Sequence, residues 1–305
     1  MSTYCGERYL SQQIESIFSQ DDVDVYLVIR DDGSSDRTQE ILQEKQACYP
    51  DRLFWYTGEN MGVGGSFMDC LYAAVEKHSD ADYFALADQD DYWLEQKLAR
   101  GIQTLEQMPV GLKMYTSNQI VSDESLNRQG LRFRKAPDYG YGQILRGNML
   151  SGCTFIMNTS FAQFVSREEN RPSAELLRIR IHDVWLIEIA SLFGTIYYDE
   201  NSYILYRQHS NNVVGALERN SFAMLRRKLY YLFSSGVSDG SILMARELLR
   251  MFGERLGDKY QPLKSYSMYI HNWKAKIAII HLEDTFRKSG ESHSKYILRA
   301  LSNKL

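Results

Sequence analysis

The sequence predicts an α/β protein in which a mostly parallel, doubly wound sheet is flanked by helices and followed by a C-terminal helical appendage. Three observations lead to this prediction. Apolar runs typical of strands alternate with helical spacing over roughly the first 120 residues, the pattern of a parallel sheet with helical connections. Acidic turns follow two of these runs, at residues 31–36 and 88–91. Beyond residue 215, apolar residues recur only at helical spacing.

Composition limits the class of protein. Of the 305 residues, 44% are hydrophobic and 24% are charged, which is typical of a folded globular protein. The net charge of −4 argues against a general nucleic-acid binder. Four widely spaced cysteines indicate reduced thiols rather than a disulfide framework. Because neither a leader nor a membrane-spanning stretch is evident, we expect a cytoplasmic protein, free or at the inner face of the membrane.

In the first half of the chain, helices and strands are predicted to alternate. In chain order they cover residues 7–19 (helix), 23–29 (strand), 53–56 (strand), 66–77 (helix) and 83–86 (strand). The acidic, Gly/Ser-rich turn DDGSSD at residues 31–36 opens a further helix, with Asp36 or Ser35 as its N-cap. A glycine-rich loop at residues 58–65 precedes the helix that begins at residue 66.

The remainder of the chain is mixed and then helical. The predicted elements cover residues 113–116 (strand), 143–150 (helix), 153–157 (strand), 182–193 (helix), 195–206 (strands around a turn), and 222–233, 242–252 and 266–286 (helices). The change of pattern after Gly215 predicts two parts, a catalytic-type α/β domain at residues 1–215 and a helical region at residues 216–305.

Carboxylates at the ends of two strands are the most informative chemical feature. The carboxyl ends of neighbouring parallel strands meet at one edge of a sheet, where open α/β proteins bind ligands. Asp88, Asp90 and Asp91 lie within four residues, and carboxylates this close repel unless a cation or proton lies among them. Mg²⁺ often bridges carboxylates to phosphates, so the cluster predicts a metal–phosphate site. The alternative that each acidic turn only caps the next helix stays open.

Three other segments carry weaker signals. The loop at residues 58–65 would let backbone approach a phosphate, but it matches no known phosphate-binding pattern, and a flexible turn explains it as well. Asp183 opens a helix whose dipole favours its anion, which suits a general base, although an N-cap role is the simpler explanation. Arg207 suits a diphosphate and His209 a metal ion, but a lone histidine is commonly structural.

Aromatic and basic residues suggest two kinds of contact, one with a sugar and one with a membrane. Trp93 and Trp185 each follow an acidic motif, and their indole faces could form a platform for a sugar, with burial in the core as the alternative. The predicted helix at residues 222–233 is basic and amphipathic. It could lie on an anionic membrane or form a solvated face over a local core.

As an ordered set, these segments resemble family 2 glycosyltransferases, inverting enzymes of the GT-A fold that use nucleotide-diphosphate sugars. The matching segments cover roughly residues 1–215 and are STYCG at 2–6, DDGSSD at 31–36, NMG at 60–62, DQDD at 88–91 and HD at 182–183. Within the family, the patterns DQDDxW, HDxW and YRQHxxN look most like bacterial rhamnosyltransferases of polysaccharide biosynthesis.

The resemblance implies a role for each matched residue. Tyr4 and Asp32 would hold the nucleobase, and Asp88 would lie at the ribose or metal region. The full implied set is donor-binding Thr3, Tyr4, Asp32, Asn60, Asp88 and Arg207, metal-binding Asp90 and His209 for Mn²⁺ or Mg²⁺, and the catalytic base Asp183. Two departures stand out. Cys5 replaces the family's usual Asn, and the chain starts without the family's first apolar strand, which we expect to expose an unpaired ladder.

The resemblance also implies a mechanism and partners. Asp183 would take the proton of an acceptor hydroxyl, which displaces the nucleoside diphosphate in a single inverting step. dTDP-rhamnose is the first expected donor and a UDP-hexose the second, with a lipid-linked glycan as acceptor. A metal-dependent sugar nucleotidyltransferase is an alternative that the missing Gly-rich basic loop disfavours. A non-catalytic nucleotide-sugar-binding subunit is another.

Overall fold

A computed structural model describes residues 1–209 and 239–305. The chain divides into two compact units, Met1–Ala136 with Leu150–His209, and Pro137–Met149 with Ser210–Leu305. The predicted domain boundary at residue 215 and the predicted basic helix at residues 222–233 lie outside the described residues. Within those two described ranges, no helix has both the length and the apolar character needed to cross a bilayer.

The first unit begins with a parallel sheet of three strands. In the order β1-β2-β3 they are Ser2–Thr3, Leu27–Asp31 and Leu53–Thr57. Helix α1 at Leu10–Phe18 connects β1 to β2, and helix α2 at Thr38–Cys48 connects β2 to β3. Both strand pairs run parallel, which confirms the predicted strand–helix alternation for this part of the chain.

Strand β1 is short but present. The sequence comparison with the family led us to expect that a first strand is missing. Instead, Ser2 and Thr3 pair in parallel with Arg30 and Asp31. The Arg30 N–H also donates to the Met1 carbonyl at 3.0 Å. Pairing with β1 thus covers the last two residues of β2, whereas Leu27, Val28 and Ile29 have no strand partner on that side among the described residues.

Two further sheets complete the first unit. Their strands are β4 (Tyr83–Ala85), β5 (Tyr92–Trp93), β6 (Lys113–Ser117), β7 (Ile120–Ser122), β8 (Arg128–Leu131), β9 (Ile156–Asn158), β10 (Thr195–Asp199) and β11 (Ile204–Arg207). The sheet orders are β10-β6-β9-β4 and β5-β11-β7-β8. In these two sheets, β10 pairs with β6 and β11 with β7 in parallel, whereas the other pairs are antiparallel. The α/β prediction is confirmed, with a larger antiparallel share than the sequence pattern indicated.

Helices cover these sheets. They are α3 (Gly62–Lys77), α4 (Lys97–Gln107), α6 (Thr159–Ser166), α7 (Ala174–Ile179) and α8 (His182–Phe193). Leu10, Ile14 and Ile17, whose spacing predicted α1, are at most 1% exposed. They belong to one apolar cluster with Leu27 and Ile29 of β2. Burial of this stripe is the main stabilisation of a helix as short as α1.

Helix α3 begins earlier than predicted. The sequence suggested a glycine-rich loop up to residue 65, whereas α3 starts at Gly62. The reason is distant in sequence: the Asp32 carboxylate accepts the N–H groups of Met61 and Gly62 at 2.9 and 3.0 Å. These are donors that the first turn of a helix leaves without an intrahelical partner. Asp32 thus caps a helix that does not follow its turn in the chain. Asp36 of the same turn accepts the N–H of Thr38 at 3.0 Å, at the start of α2.

Gly64 lies where α3 meets α7, and we expect Gly64→Ala to destabilise the protein. A Cβ at this position would be 2.3 Å from the Leu177 carbonyl oxygen and 3.2 Å from the Ile181 Cα. Both neighbours are backbone atoms, so the helices must separate, at a cost of about 1–3 kcal/mol in free energy of unfolding. Urea unfolding measures this loss. Val63→Ala, at a 37% exposed position on the same turn, is the control, and equal midpoints for the two variants would contradict the prediction.

The second unit is helical. Its described helices are α5 (Tyr141–Leu145), α9 (Asp239–Phe252), α10 (Tyr260–Met268), α11 (Trp273–His281), α12 (Glu283–Phe286) and α13 (His293–Leu301). The predicted helical region after residue 215 is thus confirmed over the described part. Residues 137–149 join this unit because Arg146 donates to both carboxylate oxygens of Glu291, at 2.7 and 3.1 Å. The two side chains are 2% and 6% exposed.

Candidate active site

The carboxyl end of β1 lies between the two acidic turns. Thr3 is the last residue of β1 and is buried. Its carbonyl accepts the N–H of Asp32 at 2.9 Å, and its Oγ1 donates to Gln89 Oε1 at 2.6 Å. Thr3 therefore connects the turn after β2 to the turn after β4. The two acidic segments that the sequence singled out converge on one crevice.

Gln89, which sequence analysis did not select, holds Tyr4 in place. Its side-chain amide accepts the Tyr4 N–H at 2.9 Å and donates to the Tyr4 carbonyl at 3.1 Å, as a neighbouring strand would. Gly6 packs against this amide, because a Cβ there would lie 2.5 Å from Gln89 Oε1. The Tyr4 ring stays 51% exposed. The backbone of Tyr4 is thus fixed beside the acidic turn while its ring is open to a ligand.

Asp32 is a structural centre of the crevice. It is buried and forms an ion pair with Arg30, another residue that the sequence motifs did not indicate. With the N–H groups of Met61 and Gly62 this makes three donors to its carboxylate. The Asp32 carbonyl accepts Asn60 Nδ2 at 3.1 Å. Asp32 therefore fixes the position of the exposed Asn60 loop at the mouth of the crevice.

Asp88, Asp91 and Cys153 form a group with metal-ligand chemistry. Their ligand atoms all lie within 4.8 Å of one another. Burial, followed by repulsion from Asp90 and Asp183, raises the pKa of Asp88 to about 7. Burial also raises the pKa of Asp91 well above its usual range. No residue in the described ranges donates a hydrogen bond to Asp91 Oδ2. Such a set of close, desolvated carboxylates is stabilised by a cation or by a shared proton.

Asp90 contacts His209, the other residue predicted to bind metal. Asp90 Oδ2 lies 2.8 Å from His209 Nε2, and the side chains are 19% and 10% exposed. The structure therefore brings both predicted metal ligands together at a partly accessible position. The adjacent Asp91 accepts the backbone N–H of Arg207 at 3.2 Å, which ties the acidic turn to the end of β11.

Arg207 lies in a different place from the one predicted. It is only 2% exposed. Its Nε donates to the Asp90 carbonyl at 2.8 Å, and its other guanidinium nitrogens donate to Gln12 Oε1 and to the Glu124 carbonyl. The predicted contact with the donor diphosphate is corrected, because these protein acceptors and the burial leave no guanidinium surface for a ligand. Arg207 instead fixes the backbone of the acidic turn.

Asp183 is the second residue of α8 and faces the same crevice. Burial raises the pKa of Asp183 to about 6, against the N–H groups of Val184 and Gly152 and the positive charges of Arg180 and Arg132. Asp183 Oδ1 is buried and has no hydrogen-bond partner among residues 1–209 and 239–305. Its charge raises the pKa of Asp88, so the two carboxylates are close enough to interact. A desolvated carboxylate with one unbonded oxygen can accept a proton from a substrate hydroxyl.

His182 supports Asp183 from within the core. Its ring is stacked on Phe67 with centroids 3.9 Å apart. Burial lowers the pKa of His182 to about 3, so its ring is neutral at physiological pH. Gly152 is required on the other side, since a Cβ there would lie 2.7 Å from His182 Nε2 and 3.3 Å from the Asp183 Cβ. This packing fixes the first turn of α8.

The two tryptophans predicted to bind the acceptor lie in the core. Trp93 is 3% exposed, and the Lys97 ammonium lies 3.6 Å from the centre of its ring. Trp185 is fully buried. The prediction of an acceptor platform is corrected in favour of the alternative that the sequence left open. Each motif places its tryptophan two residues after an aspartate, but the side chain is buried.

Gln89, Cys153 and Arg30 join the site without having been selected from the sequence. Gln89 lies inside the recognised DQDD motif, so its proximity to the site was visible although its role was not. Asp91 was counted in the acidic cluster, and the structure adds its contacts with Arg207 and Cys153. Cys153 and Arg30 could not be identified from the sequence, because neither lies inside one of the motifs that predicted the site.

Comparison with known proteins identifies related sequences. The model of Glycosyl transferase family 2 matches residues 1–166. The dTDP-rhamnosyl transferase RfbG of Shigella flexneri is 31% identical over 226 residues, which are 71% of this chain and 74% of that protein. The putative glycosyltransferase EpsE of Bacillus subtilis is 34% identical over 107 residues, 35% of this chain and 37% of that protein.

Solved structures support the fold. The crystal structure of S. aureus TarS 1-349 in complex with UDP-GlcNAc aligns with a TM-score of 0.53. The alignment covers 99% of this chain and 87% of that chain at 14% identity. At this identity the likeness concerns the arrangement of helices and strands, and it agrees with the GT-A fold expected from the sequence.

Proposed function

The chain belongs to glycosyl transferase family 2, and from this premise we propose that its crevice transfers a sugar from a nucleotide-diphosphate donor to a hydroxyl group of a cell-surface glycan, with inversion at the anomeric carbon. The observation that carries this proposal is the position of Asp183. A carboxylate with a buried, unbonded oxygen lies within electrostatic range of the acidic turn at Asp88. The crevice can therefore offer a base on one side and a diphosphate site on the other.

The proposed reaction is a single displacement. The acceptor hydroxyl transfers its proton to the Asp183 carboxylate, and its oxygen attacks the anomeric carbon. The bond from that carbon to the diphosphate oxygen breaks, and its electron pair stays on the departing nucleoside diphosphate. Attack opposite the leaving group inverts the configuration, and no side chain becomes glycosylated. Asp183 acts as a general base, which contributes about 10²–10⁴ in rate.

The donor is proposed to lie along the carboxyl ends of β1 and β2. The exposed Tyr4 ring can stack on a nucleobase, with Thr3 and Gln89 fixing its backbone. Asp32 and Asn60 form the adjoining wall. Within the described residues, Asp32 Oδ2 accepts only the N–H of Gly62, so it keeps a lone pair that can accept a hydrogen bond from the donor. Asp88 is proposed to meet the ribose and the diphosphate. Arg207 keeps a positioning role only, by holding the acidic turn.

Metal dependence is part of the proposal, and the residues fit a divalent cation. The supporting observations are the close Asp88–Asp91–Cys153 group with its unbonded Asp91 oxygen, and the Asp90–His209 pair. Asp90 and His209 would hold Mn²⁺ or Mg²⁺, with Asp88 as the neighbouring carboxylate. A bound cation supplies Lewis-acid stabilisation of the charge that develops on the diphosphate. A cation held by both residues would take the place of the contact between Asp90 Oδ2 and His209 Nε2.

The donor sugar is proposed as rhamnose, carried by dTDP, with a UDP-hexose second. The support is the 31% identity to a protein named as a dTDP-rhamnosyl transferase. The acceptor is proposed to be a growing glycan, free or lipid-linked. Because the family match covers residues 1–166, the nucleotidyltransferase alternative is set aside. A non-catalytic sugar-nucleotide-binding subunit remains as an outcome of the test below.

A donor panel tests the proposal. Calorimetry with dTDP-rhamnose, UDP-glucose, UDP-galactose and UDP-N-acetylglucosamine, each with and without Mn²⁺, is followed by detection of released nucleoside diphosphate in the presence of glycan acceptors. We expect one donor to bind in a metal-dependent manner. We also expect that donor to release its nucleoside diphosphate when a glycan acceptor is present. Binding without any transfer would favour the non-catalytic subunit, and binding of none of the four would overturn the proposed donor site.

Two wider assignments are also proposals. We propose a catalytic domain at residues 1–215 and a helical region at residues 216–305, supported by the helical character of the described residues 239–305. Residues 137–149 are an exception, because they belong to the second compact unit. We also propose a cytoplasmic location. All four cysteines are free, two exposed and two buried, which suits a reducing compartment.

A further inference from the structure

Helices α11 and α13 of the second unit expose apolar residues next to lysines. Trp273 and Ile277 on α11 are 68% and 44% exposed. Leu298 and Leu301 on α13 are 66% and 55% exposed. Neither helix contains Asp or Glu. We call this surface the basic apolar face, and it consists of Trp273, Lys274, Lys276, Ile277, Lys295, Leu298 and Leu301.

The exposed apolar residues are not part of the core of their unit. On α11 the buried residues are Ala275 and Ile279, and on α13 they are Tyr296 and Ala300. At 100° per residue, Trp273 and Ile277 lie on the opposite side of α11 from this buried pair, and Leu298 and Leu301 lie about 150° around α13 from Tyr296 and Ala300. Each helix thus has two sets of apolar residues, one buried in the second unit and one exposed to solvent.

Two hydrogen bonds hold the helices side by side. Tyr296 Oη donates to the Ile279 carbonyl at 2.6 Å, and Lys276 Nζ donates to the Leu301 carbonyl at 3.2 Å. Lys276 lies within one turn of both Trp273 and Ile277 on α11. Its contact with Leu301 places the end of α13, which carries an exposed leucine, within reach of the lysine that lies between Trp273 and Ile277 in sequence.

We infer that the basic apolar face docks on the surface of an anionic lipid bilayer. An exposed Trp, Ile and Leu stripe flanked by lysines is the composition with which helices lie in a membrane interface. The lysines add attraction to anionic headgroups, and their alkyl stems cover apolar surface while the charges stay in water. Charge disfavours a second copy of this face as the occupant, because lysines would oppose lysines across the contact.

This inference goes beyond the proposed sugar transfer and does not depend on it. A chain attached in this way would be held next to any lipid-linked acceptor. The docking itself requires neither donor, metal nor the carboxylates of the crevice. It can therefore fail while the transferase proposal stands, and the converse also holds.

Sedimentation of the full chain with vesicles tests the inference. We expect binding to vesicles of phosphatidylglycerol and phosphatidylcholine in equal parts, weakening with salt, and little binding to phosphatidylcholine alone. The double variant Trp273→Ser/Ile277→Ser should bind at least about tenfold more weakly, since it removes two large apolar side chains. Lys274→Gln/Lys295→Gln should bind about 25-fold more weakly, from about a fivefold contribution of each lysine.

The controls distinguish binding through the basic apolar face from non-specific adsorption to vesicles. Val110→Ser/Lys135→Gln removes one exposed apolar and one exposed basic residue from the first unit, and it should bind as the unmodified chain does. Trp273 is exposed whereas the other three tryptophans are buried or half-buried. Vesicles should therefore shift its fluorescence to shorter wavelength, and Trp273→Phe should remove the shift.

Two results would overturn the inference. One is equal vesicle binding by the unmodified chain and both double variants. The other is self-association in the absence of vesicles, seen by analytical ultracentrifugation and abolished by Trp273→Ser, which would assign the face to a second copy of the chain.

Discussion

Asp183→Asn is expected to reduce sugar transfer about a thousandfold while changing the dissociation constant of the donor less than about threefold. The amide keeps the size and position of the side chain but cannot take a proton from the acceptor hydroxyl. The proposed donor contacts lie on β1, β2 and the acidic turn, so they are retained. The measurement is the turnover rate for nucleoside diphosphate release, beside calorimetric binding of the same donor.

The pH profile of the unmodified enzyme provides a second readout of this residue. Asp183 must be ionised to act as a base, and its pKa is raised to about 6 by burial. Activity should therefore be full above that pH and fall about tenfold per pH unit below it. The residual activity of Asp183→Asn should lack this limb.

A matched control is available on the neighbouring helix. Glu175 is an exposed acid in the first turn of α7. Glu175→Gln removes the same charge from a comparable position outside the crevice, and it should leave transfer unchanged. Normal turnover by Asp183→Asn would rule out Asp183 as the base.

Asp90→Asn is expected to weaken Mn²⁺-dependent donor binding by about 10- to 100-fold. The variant removes a negative charge from the proposed metal site and replaces an acceptor for His209, 2.8 Å away, with an amide. Loss of a ligand or of its orienting partner costs metal sites at least this much. Calorimetric titration of Mn²⁺ into the protein with donor present measures the change.

Two further variants, Asp82→Asn and Asp88→Asn, test whether the cation is held by Asp90 and His209. Asp82→Asn changes an exposed carboxylate just before β4, at the other end of the strand that leads to the acidic turn. It should leave the titration unchanged. An unaltered titration for Asp90→Asn, together with a weakened one for Asp88→Asn, would move the cation to the Asp88–Asp91–Cys153 group and contradict the assignment to Asp90 and His209.

The sequence by itself determined the α/β class, the family and the order of the main elements. Helix α8 was predicted over residues 182–193 and is found at His182–Phe193, because helical spacing is a local property that neighbouring residues specify. The acidic turns were also visible, since their residues are consecutive. Their convergence was expected from the rule that parallel strands end at a common edge. In the structure β4 lies in a second sheet and pairs antiparallel with β9, and the contacts of Thr3 with Asp32 and Gln89 bring the two turns together.

Only the tertiary structure decided what each of those residues contacts. Asp32 caps α3 from 30 positions away, Arg207 is buried under the turn that it holds, and Trp93 and Trp185 point into the core. Residues 137–149 belong with the C-terminal helices through the buried Arg146–Glu291 pair. Periodicity reports which residues share a face, but burial and hydrogen-bond partners depend on chain segments far apart in sequence. Folding brings those segments together, and no local pattern records it.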